Sequence, residues 1–400
     1  MSLNNRLRIY TNLLCLFCIG FPIFTRLGTW CLIALIAFWV VVGGLELKNR
    51  ANWAKPCWPM LAFFLLHLLA LTYTENISEG WTDIKSKAVF LIAPTILCTV
   101  PFTGQQIHRI ARTFVIGTLL ANILYLGYAT FQFAFLDADY YIFNYSNLTD
   151  PLQSHPAYMA SYNIFGIIYL LNDLFSKWRQ KDKLVLGINI IAILFLWLLV
   201  ILYISRMQVL AMCLILSIFF IWNFGKQKKW ILALIFPILV WTCTFIAMSS
   251  FPMLEKRMNN ALENINTPSN VRFELWDSGF NVAKQSPVFG VGPGDLKALL
   301  VQDYLKKDMP KLAEIQLNTH NQYLEAYAGI GILGLVSLLL IFIIPSLQAF
   351  KSQNLVILSF FAIIALGSLT ECMLEVQRGS IWFGVFGSLF WKRENLTWSN

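Results

Sequence analysis

Three side chains in this sequence have the chemistry and the setting that proton transfer and anion binding require. His320 opens a long apolar stretch, and the partial positive charge of a helix N-terminus disfavours its protonated form, which leaves it able to accept a proton. Arg206 lies between two apolar runs, where a guanidinium has little to do except face a polar interior. Arg272 lies in a long polar segment and could point inward at an anion or outward into water. Such a set suits a site where cations bind an anion and a histidine acts as a base.

Five more residues are candidates for binding a substrate because they lie near the starts of apolar stretches. They are Lys85, Lys87, His155, Gln322 and Arg378. Cations beside helix N-termini are typical of anion sites, since free backbone N–H groups and positive side chains act together there. The alternative for Lys85, Lys87 and Arg378 is that each side chain extends to the lipid headgroups.

The elements that must position these residues are membrane helices. The chain is 58% hydrophobic and only 13% charged, whereas soluble proteins carry about 25% charged residues. A membrane helix needs about 20 mostly apolar residues, and strands of a membrane barrel would alternate apolar and polar residues. We therefore predict an all-α integral membrane protein with about twelve transmembrane helices. They lie near 8–25, 27–47, 57–73, 87–101, 110–136, 156–174, 184–204, 207–224, 230–249, 321–346, 353–373 and 379–391. The first stretch lacks a small-residue cleavage site, so we do not interpret it as a removed signal peptide.

The orientation follows from the short loops, because cytoplasmic loops carry an excess of Lys and Arg. Most of the 30 basic residues fall on the cytoplasmic side if the N-terminus is placed there. This arrangement puts residues 250–320 outside the cytoplasm, as one long periplasmic loop between spans nine and ten. The formal net charge of +9 then reflects topology, and nucleic-acid binding is the weaker explanation. The simplest organisation is a single polytopic membrane domain over residues 1–400.

The long loop itself predicts short helices joined by a tight turn. Asn270 is suited to cap a helix that begins at Val271. The run from Gly290 to Gly294 resembles a nucleotide loop only superficially, because it follows no buried strand and lacks the characteristic lysine. We interpret it as a tight turn, with Asp295 capping a helix over 296–307.

The metal-binding residue types are not arranged as a metal site. All eight Cys fall in apolar stretches and none lies in the long loop. Cys15 and Cys18 have no metal-binding neighbours and are predicted to be packing residues. His67 lies in a predicted span and His108 in an inner loop, and both are predicted to be structural. We therefore expect no metal and no cofactor.

Four motifs, taken in order, resemble those of the O-antigen ligase/polymerase superfamily. The first two are an arginine opening a span, Ser205-Arg206, and Arg272-x-x-x-Trp276. The third and fourth are Gly290-x-Gly292-Pro293-Gly294, and His320-Asn321-x-x-Leu324-Glu325 followed by Gly329-Ile330-Gly331-Ile332-Leu333-Gly334-Leu335. The topology of the whole chain fits the family, but its N-terminal half is matched by topology alone.

This resemblance implies a metal-independent glycosyltransferase of the bacterial inner membrane, with its active site facing the periplasm. The donor would be a glycan on undecaprenyl diphosphate, and Arg206 and Arg272 would bind the diphosphate. His320 would serve the acceptor hydroxyl. The acceptor is a lipid A core sugar in ligases, a second lipid-linked glycan in polymerases, and a protein hydroxyl in protein O-oligosaccharyltransferases. The resemblance assigns no clear role to Lys85, Lys87 or His155.

A transporter of the same lipid-linked glycans is the main alternative outside the enzymes. Transporters usually place ionisable residues near the membrane midplane, often on broken helices in repeated halves. The ionisable residues here gather at one face, which favours an interfacial enzyme. A purely structural scaffold would leave His320 and the cations on the outer side without an explanation.

Overall fold

The computed structural model of this protein describes residues 2–42, 54–177, 183–250 and 268–391. Within those ranges the secondary structure consists of helices and turns without strands. Five helices there are long and apolar enough to cross a membrane, and three shorter ones are strongly apolar. The predicted class, an α-helical membrane protein, is confirmed. The count of twelve spans stays a prediction, as does the outer loop, of which residues 251–267 lie outside the described ranges.

In the described ranges, twelve helices follow the predicted apolar stretches, and four lie outside them: one before the fourth stretch and three in residues 268–321, which we call the outer segment. In chain order they are α1 (Leu3–Gly20), α2 (Thr25–Val41), α3 (Ala54–Ala70), α4 (Ile77–Lys87), α5 (Val89–Leu97), α6 (Gly104–Phe135), α7 (Pro156–Lys177), α8 (Lys183–Leu202), α9 (Arg206–Lys226), α10 (Trp230–Ser249), α11 (Pro268–Ala283), α12 (Leu296–Lys306), α13 (Pro310–Ile315), α14 (Gln322–Lys351), α15 (Leu355–Gly367) and α16 (Gln377–Trp391). Three short helical segments, Tyr140–Phe143, Tyr145–Thr149 and Asp150–Leu152, connect α6 to α7.

Helix α16 lies at the centre of the bundle. Every residue from Arg378 to Trp391 is buried, as expected of a helix surrounded by other helices. The Trp382 ring contacts the rings of Phe114, Tyr162 and Phe360, which come from three different helices. The segment that connects α15 to α16 is therefore held between two buried helices at one end of the bundle.

Helices α8 and α10 lie at the periphery. Their apolar side chains are largely exposed, including Ile191 on α8 and Phe245 on α10. Apolar side chains that face neither protein nor a polar partner are suited to lipid contact. This surface supports the assignment to a membrane.

The outer helices α11 to α13 form a small apolar cluster of their own, built on Leu275, Val282, Leu300 and Tyr304. Our prediction for the start of the first of these helices is wrong. The helix begins at Pro268, so Asn270 lies inside its first turn instead of capping it. Proline favours the first helical position because its fixed φ angle suits the helix and its missing N–H would have no partner there.

Asp295 occupies the N-cap position of α12, as predicted, but its side chain does not cap that helix. Its two carboxylate oxygens instead accept hydrogen bonds of 2.8 Å from the backbone N–H groups of Glu75 and Asn76. Those N–H groups precede α4 and would otherwise lack partners. Asp295 therefore ties the outer segment to the connection between α3 and α4.

The glycine run forms the predicted tight turn, with φ of +75° at Gly290 and +96° at Gly292. The turn packs against a break in α14, where Gly331 has a φ of +70°. The backbone N–H of Gly292 donates to the carbonyl of Gly329 at 2.9 Å. A Cβ on Gly331 would lie 2.1 Å from the carbonyl oxygen of Val288, so only glycine permits this close approach. The contact fixes the outer segment against the first turns of α14.

Candidate functional site

His320 lies immediately before α14 in an unusual backbone conformation. Asn321 caps the helix, and its side-chain oxygen accepts from the N–H groups of Tyr323 and Leu324. His320 has a φ of +46°, which residues other than glycine adopt uncommonly. Its backbone N–H donates to the side chain of Asn318 at 3.1 Å. Residues held in such conformations cost about 1–3 kcal/mol and concentrate at functional sites.

The imidazole of His320 meets Glu371, which also binds Arg272. One Glu371 oxygen lies 3.0 Å from Nδ1 of His320, and the other accepts from Nη2 of Arg272 at 2.8 Å. The three side chains come from α11, from the residue before the N-cap of α14 and from the segment between α15 and α16. They are partly exposed, at 33% for Arg272, 29% for His320 and 16% for Glu371. The carboxylate therefore joins a cation and a candidate base at an accessible surface.

This geometry determines which nitrogen of His320 can accept a proton. A carboxylate only accepts hydrogen bonds, so Nδ1 carries the hydrogen that faces Glu371. The second nitrogen, Nε2, then holds the lone pair. A carboxylate in this position also stabilises the imidazolium that forms when Nε2 takes a proton, as the aspartate does in serine proteases. The pair can act as a general base.

The charges around Glu371 keep it ionised. Burial alone would raise the pKa of Glu371. The hydrogen bond from His320 and the positive charges of His320, His155 and Arg272 lower it by more than burial raises it. The pKa of Glu371 consequently lies below its ordinary value. His155 lies before α7 with an exposed side chain, close enough for its charge to act on Glu371. The structure thus brings His155, Arg272 and His320 into one electrostatic cluster.

Lys87 and Gln322 belong to a second cluster beside the first. The ammonium of Lys87 is buried and pairs with Asp83 and with Glu375, the latter at 2.6 Å. The side chain of Gln322 donates to Glu375 at 2.8 Å and accepts from the backbone N–H of Leu374 at 2.7 Å. Because one lysine faces two carboxylates, the pKa values of the two acids shift in opposite directions. Burial raises the pKa of Asp83, whereas Lys87 holds the pKa of Glu375 below its ordinary value despite burial.

The two clusters share the segment between α15 and α16, since Glu371 and Glu375 lie four residues apart. Gln322 and His320 likewise lie two residues apart at the start of α14. Lys87 and Gln322 therefore support the segment that carries Glu371, and their polar groups are already occupied. Their predicted contact with a substrate stays a prediction.

The remaining candidates lie apart from His320. Arg378 is buried and donates to the backbone carbonyls of Leu152 and Gln153. Lys85 is exposed at the end of α4. Arg206 is the first residue of α9 and has an exposed side chain. The side chain of Gln208, in the first turn of α9, lies against Gly367, the last residue of α15. Because α15 ends four residues before Glu371, Arg206 starts a helix at the same end of the bundle as the cluster.

Sequence reasoning missed the acidic partners, Glu371 and Glu375. The predicted span 353–373 includes Glu371. The signal was present, because two carboxylates four residues apart follow an apolar stretch at the predicted outer face. Acids inside membrane segments are costly and usually functional. Neither residue has a local pattern that indicates its partners.

Comparison with known proteins supports the resemblance seen in the motifs. The family model described as O-Antigen ligase matches residues 191–339, a segment that includes Arg206, Arg272 and His320. A protein of Haemophilus influenzae, described as uncharacterized, is 30% identical over 146 residues. The alignment covers 34% of this chain and 36% of that relative, so the chain spans about a third of its relative's length. The resemblance to the O-antigen ligase superfamily is confirmed.

Proposed function

We propose that this protein, as a relative of the O-antigen ligases, is a membrane glycosyltransferase. It moves a glycan from undecaprenyl diphosphate to an acceptor hydroxyl at the periplasmic face of the bacterial inner membrane. The favoured reaction is ligation of O-antigen to a sugar of the lipid A core. The observation that carries the proposal is the carboxylate bridge between Arg272 and His320, which places a cation beside an oriented base at one end of an apolar bundle.

The proposed reaction is a single displacement at the anomeric carbon. The acceptor oxygen forms a bond to that carbon while the bond to the diphosphate oxygen breaks. The acceptor proton passes to Nε2 of His320, whose Nδ1–H remains directed at Glu371. The electron pair leaves on the diphosphate, whose charge Arg272 and Arg206 offset, so that arginines supply the stabilisation that a metal ion gives elsewhere.

The topology of the proposal follows from the charge distribution. Twelve spans with a cytoplasmic N-terminus place residues 250–320 and the His320 cluster in the periplasm, within a single domain over 1–400. The outer helices would then cover the cluster, held by the contacts of Asp295 and Gly292 described above. Lys85, Lys87, His155, Gln322 and Arg378 would line or support the substrate sites around it.

The direct test uses purified protein in lipid nanodiscs with an undecaprenyl-diphosphate-linked glycan. The acceptors are lipid A core in one reaction and a second lipid-linked glycan in another. We expect transfer to lipid A core; transfer only to the second lipid-linked glycan would identify a polymerase instead. Transfer to a protein hydroxyl would identify a protein O-oligosaccharyltransferase. A protein that moves the donor across a bilayer without forming a bond would be a carrier, and the proposal would be wrong.

The variants His320→Ala and Arg206→Ala should abolish transfer while the protein remains folded and inserted. The matched control is Arg26→Ala, which removes an exposed arginine at the start of α2 and should leave transfer intact. Full attachment of glycan by the His320 or Arg206 variant in a complementation assay would contradict the assignment.

A further inference from the structure

Three consecutive residues of the outer segment, Pro287, Val288 and Phe289, form an exposed apolar turn, which we call the tip. The backbone N–H of Gly290 donates to the carbonyl of Ser286 at 2.8 Å and closes the turn around them. Val288 is 51% exposed and Phe289 is 62% exposed. Single exposed apolar residues are ordinary at protein surfaces, so the meaning of the tip depends on what surrounds it.

The tip lies against the start of an exposed apolar stripe on α14. The backbone N–H of Ile332 donates to the carbonyl of Pro287 at 3.0 Å. From there, exposed apolar side chains follow one face of α14 at intervals of three or four residues: Ile332, Val336, Leu339, Ile343 and Leu347. Helix α14 is long and apolar enough to cross a membrane, and an exposed apolar stripe on such a helix is suited to lipid contact. The tip therefore extends a lipid-facing surface.

The length of α14 places the tip at the edge of the hydrocarbon core. From Ile332 to Phe350 the helix is about 28 Å long at 1.5 Å per residue, and the hydrocarbon core of a bilayer is about 30 Å thick. Residues before the break, such as Ala326 and Ala328, are buried within the protein. The tip contacts the helix at the break, so it lies where the hydrocarbon meets the headgroups.

A second apolar helix places the tip at the same depth. Helix α3 is apolar, carries the exposed side chains of Leu65 and Leu69, and ends at Ala70. Three residues later, the hydroxyl of Tyr73 donates to the carbonyl of Phe289 at 2.5 Å. Tyrosine is enriched where the ring of a membrane protein meets the headgroups. The tip is thus joined to the ends of two lipid-facing helices.

The backbone of the tip is suited to this depth. Polar backbone groups in a bilayer need hydrogen-bond partners, and the carbonyls of Pro287 and Phe289 have them in Ile332 and Tyr73. Pro287 has no N–H that would need a partner. Lys284 is exposed three residues before the tip, where its long side chain can reach a lipid phosphate.

We propose that Val288 and Phe289 insert into the bilayer leaflet on the side of the outer segment and anchor that segment to the membrane. The partner is the lipid surface itself. Acyl chains beneath the headgroups surround the two side chains, and a headgroup phosphate pairs with Lys284. The outer segment, which carries Arg272, is then held by the bilayer as well as by α14. This inference goes beyond the proposed function and needs only that α14 spans the membrane.

The test places a fluorophore on the tip of the purified full-length protein in phosphatidylcholine nanodiscs. Phe289→Cys is combined with Cys243→Ser, because the other seven cysteines are buried, and is labelled with a nitrobenzoxadiazole maleimide. We expect a blue shift of the emission relative to water. We also expect stronger loss of fluorescence with lipids that carry a nitroxide near the headgroup than with lipids that carry it at the chain end.

Two further positions calibrate the measurement. Ile343→Cys, in the exposed stripe of α14, gives the signal of a label in lipid. Ile315→Cys is the matched control, because Ile315 is apolar and 65% exposed in α13, which packs on α12. Its label should emit as in water and should not be quenched by either lipid. Equal quenching at Ile315 and Phe289 would overturn the proposal, because the label itself would then be seeking the bilayer.

The remaining outcomes also decide the proposal. Emission typical of water from the label on Phe289→Cys would show that the tip lies outside the bilayer and would overturn it. Blue-shifted emission without nitroxide quenching would overturn it too, since a second copy or a partner protein would then cover the tip. Val288→Cys repeats the measurement on the neighbouring residue if Phe289→Cys does not fold.

Discussion

Glu371 satisfies Arg272 with one oxygen and His320 with the other, so the cation and the base are held by the same carboxylate. An arginine and a histidine left unpaired at this surface would repel each other whenever the imidazole carries a proton. The shared carboxylate removes that conflict and leaves Nε2 of His320 with the lone pair. The contact uses one nitrogen of the guanidinium, Nη2, and a substrate phosphate would use the others.

The variant Glu371→Gln tests this positioning role. We expect transfer to fall by about 10²- to 10⁴-fold, because an amide cannot hold the imidazole and the guanidinium with two anionic oxygens. The measurement is the initial rate against pH. Glu314→Gln, at an exposed glutamate of α13, is the control and should match the unaltered protein.

The sign of the pH effect follows from the lowered pKa of Glu371. A carboxyl group whose pKa is lower in the folded protein contributes stability above its unfolded value, about 4.3 for glutamate. That contribution is lost as the pH falls through the lower folded value. Ionised Glu371 therefore persists through neutral pH, and a loss of activity of the unaltered protein above about pH 5 cannot come from its protonation.

The variant Arg272→Lys tests whether Arg272 acts through the planar geometry of its hydrogen-bond donors or through its positive charge alone. A guanidinium can hold Glu371 and a phosphate at once because its donors are fixed in a plane, whereas an ammonium is a point charge. We expect transfer to fall about 10- to 100-fold in the same assay. Arg26→Lys makes the same exchange at another exposed arginine and should be neutral. Normal activity of the Arg272 variant would indicate that charge alone matters.

Among the elements, the break in α14 is the feature that positions the site. Gly331 allows the turn at Gly290 to approach the helix backbone, and Gly292 bonds to it directly. The first turns of α14, which follow His320, are thereby fixed between the outer turn and the segment that carries Glu371. A regular helix without the break would not allow the turn to approach its backbone this closely.

Gly331→Ala should therefore destabilise the protein by at least about 1 kcal/mol and reduce transfer, because φ is positive there and the new Cβ would meet the carbonyl of Val288. Gly127→Ala is the matched control, since a Cβ on Gly127 in α6 meets nothing within 4 Å. That exchange should be neutral or slightly stabilising. Thermal inactivation of both variants is the measurement, and equal loss in the two would contradict the role of the break.

The elements were predictable from the sequence, while the contacts between them were not. Long apolar runs fix the helices, and glycines with a proline mark the turn. Asp295 is an example of a contact that the sequence does not predict. Its position predicts a helix cap, but its carboxylate accepts hydrogen bonds from backbone N–H groups about 220 residues earlier. Glu371 is a second example, since its partners His320 and Arg272 lie 51 and 99 residues away. Pairs so distant in sequence leave no local periodicity.

For the whole molecule, the orientation in the membrane is the property that decides the proposed function. Intact cells that express Glu314→Cys should be labelled by a membrane-impermeant maleimide, because α13 faces the periplasm in the proposed topology. Arg8→Cys should be labelled only after the membrane is permeabilised. The unaltered protein gives the background, since seven of its cysteines are buried and Cys243 lies exposed on the peripheral helix α10. The opposite labelling pattern would reverse the topology and remove the periplasmic site.

The separation of Glu371 from its partners in the sequence also affects when the site can form, because the chain is synthesised from its N-terminus. His320 and Arg272 emerge from the ribosome first, and neither has its carboxylate until the segment after α15 has been made. That segment is in turn held by α16, the central helix and the last one described. A chain that ends before Glu371 therefore lacks the carboxylate that orients His320, and under the proposed function such an unfinished molecule would not transfer a glycan.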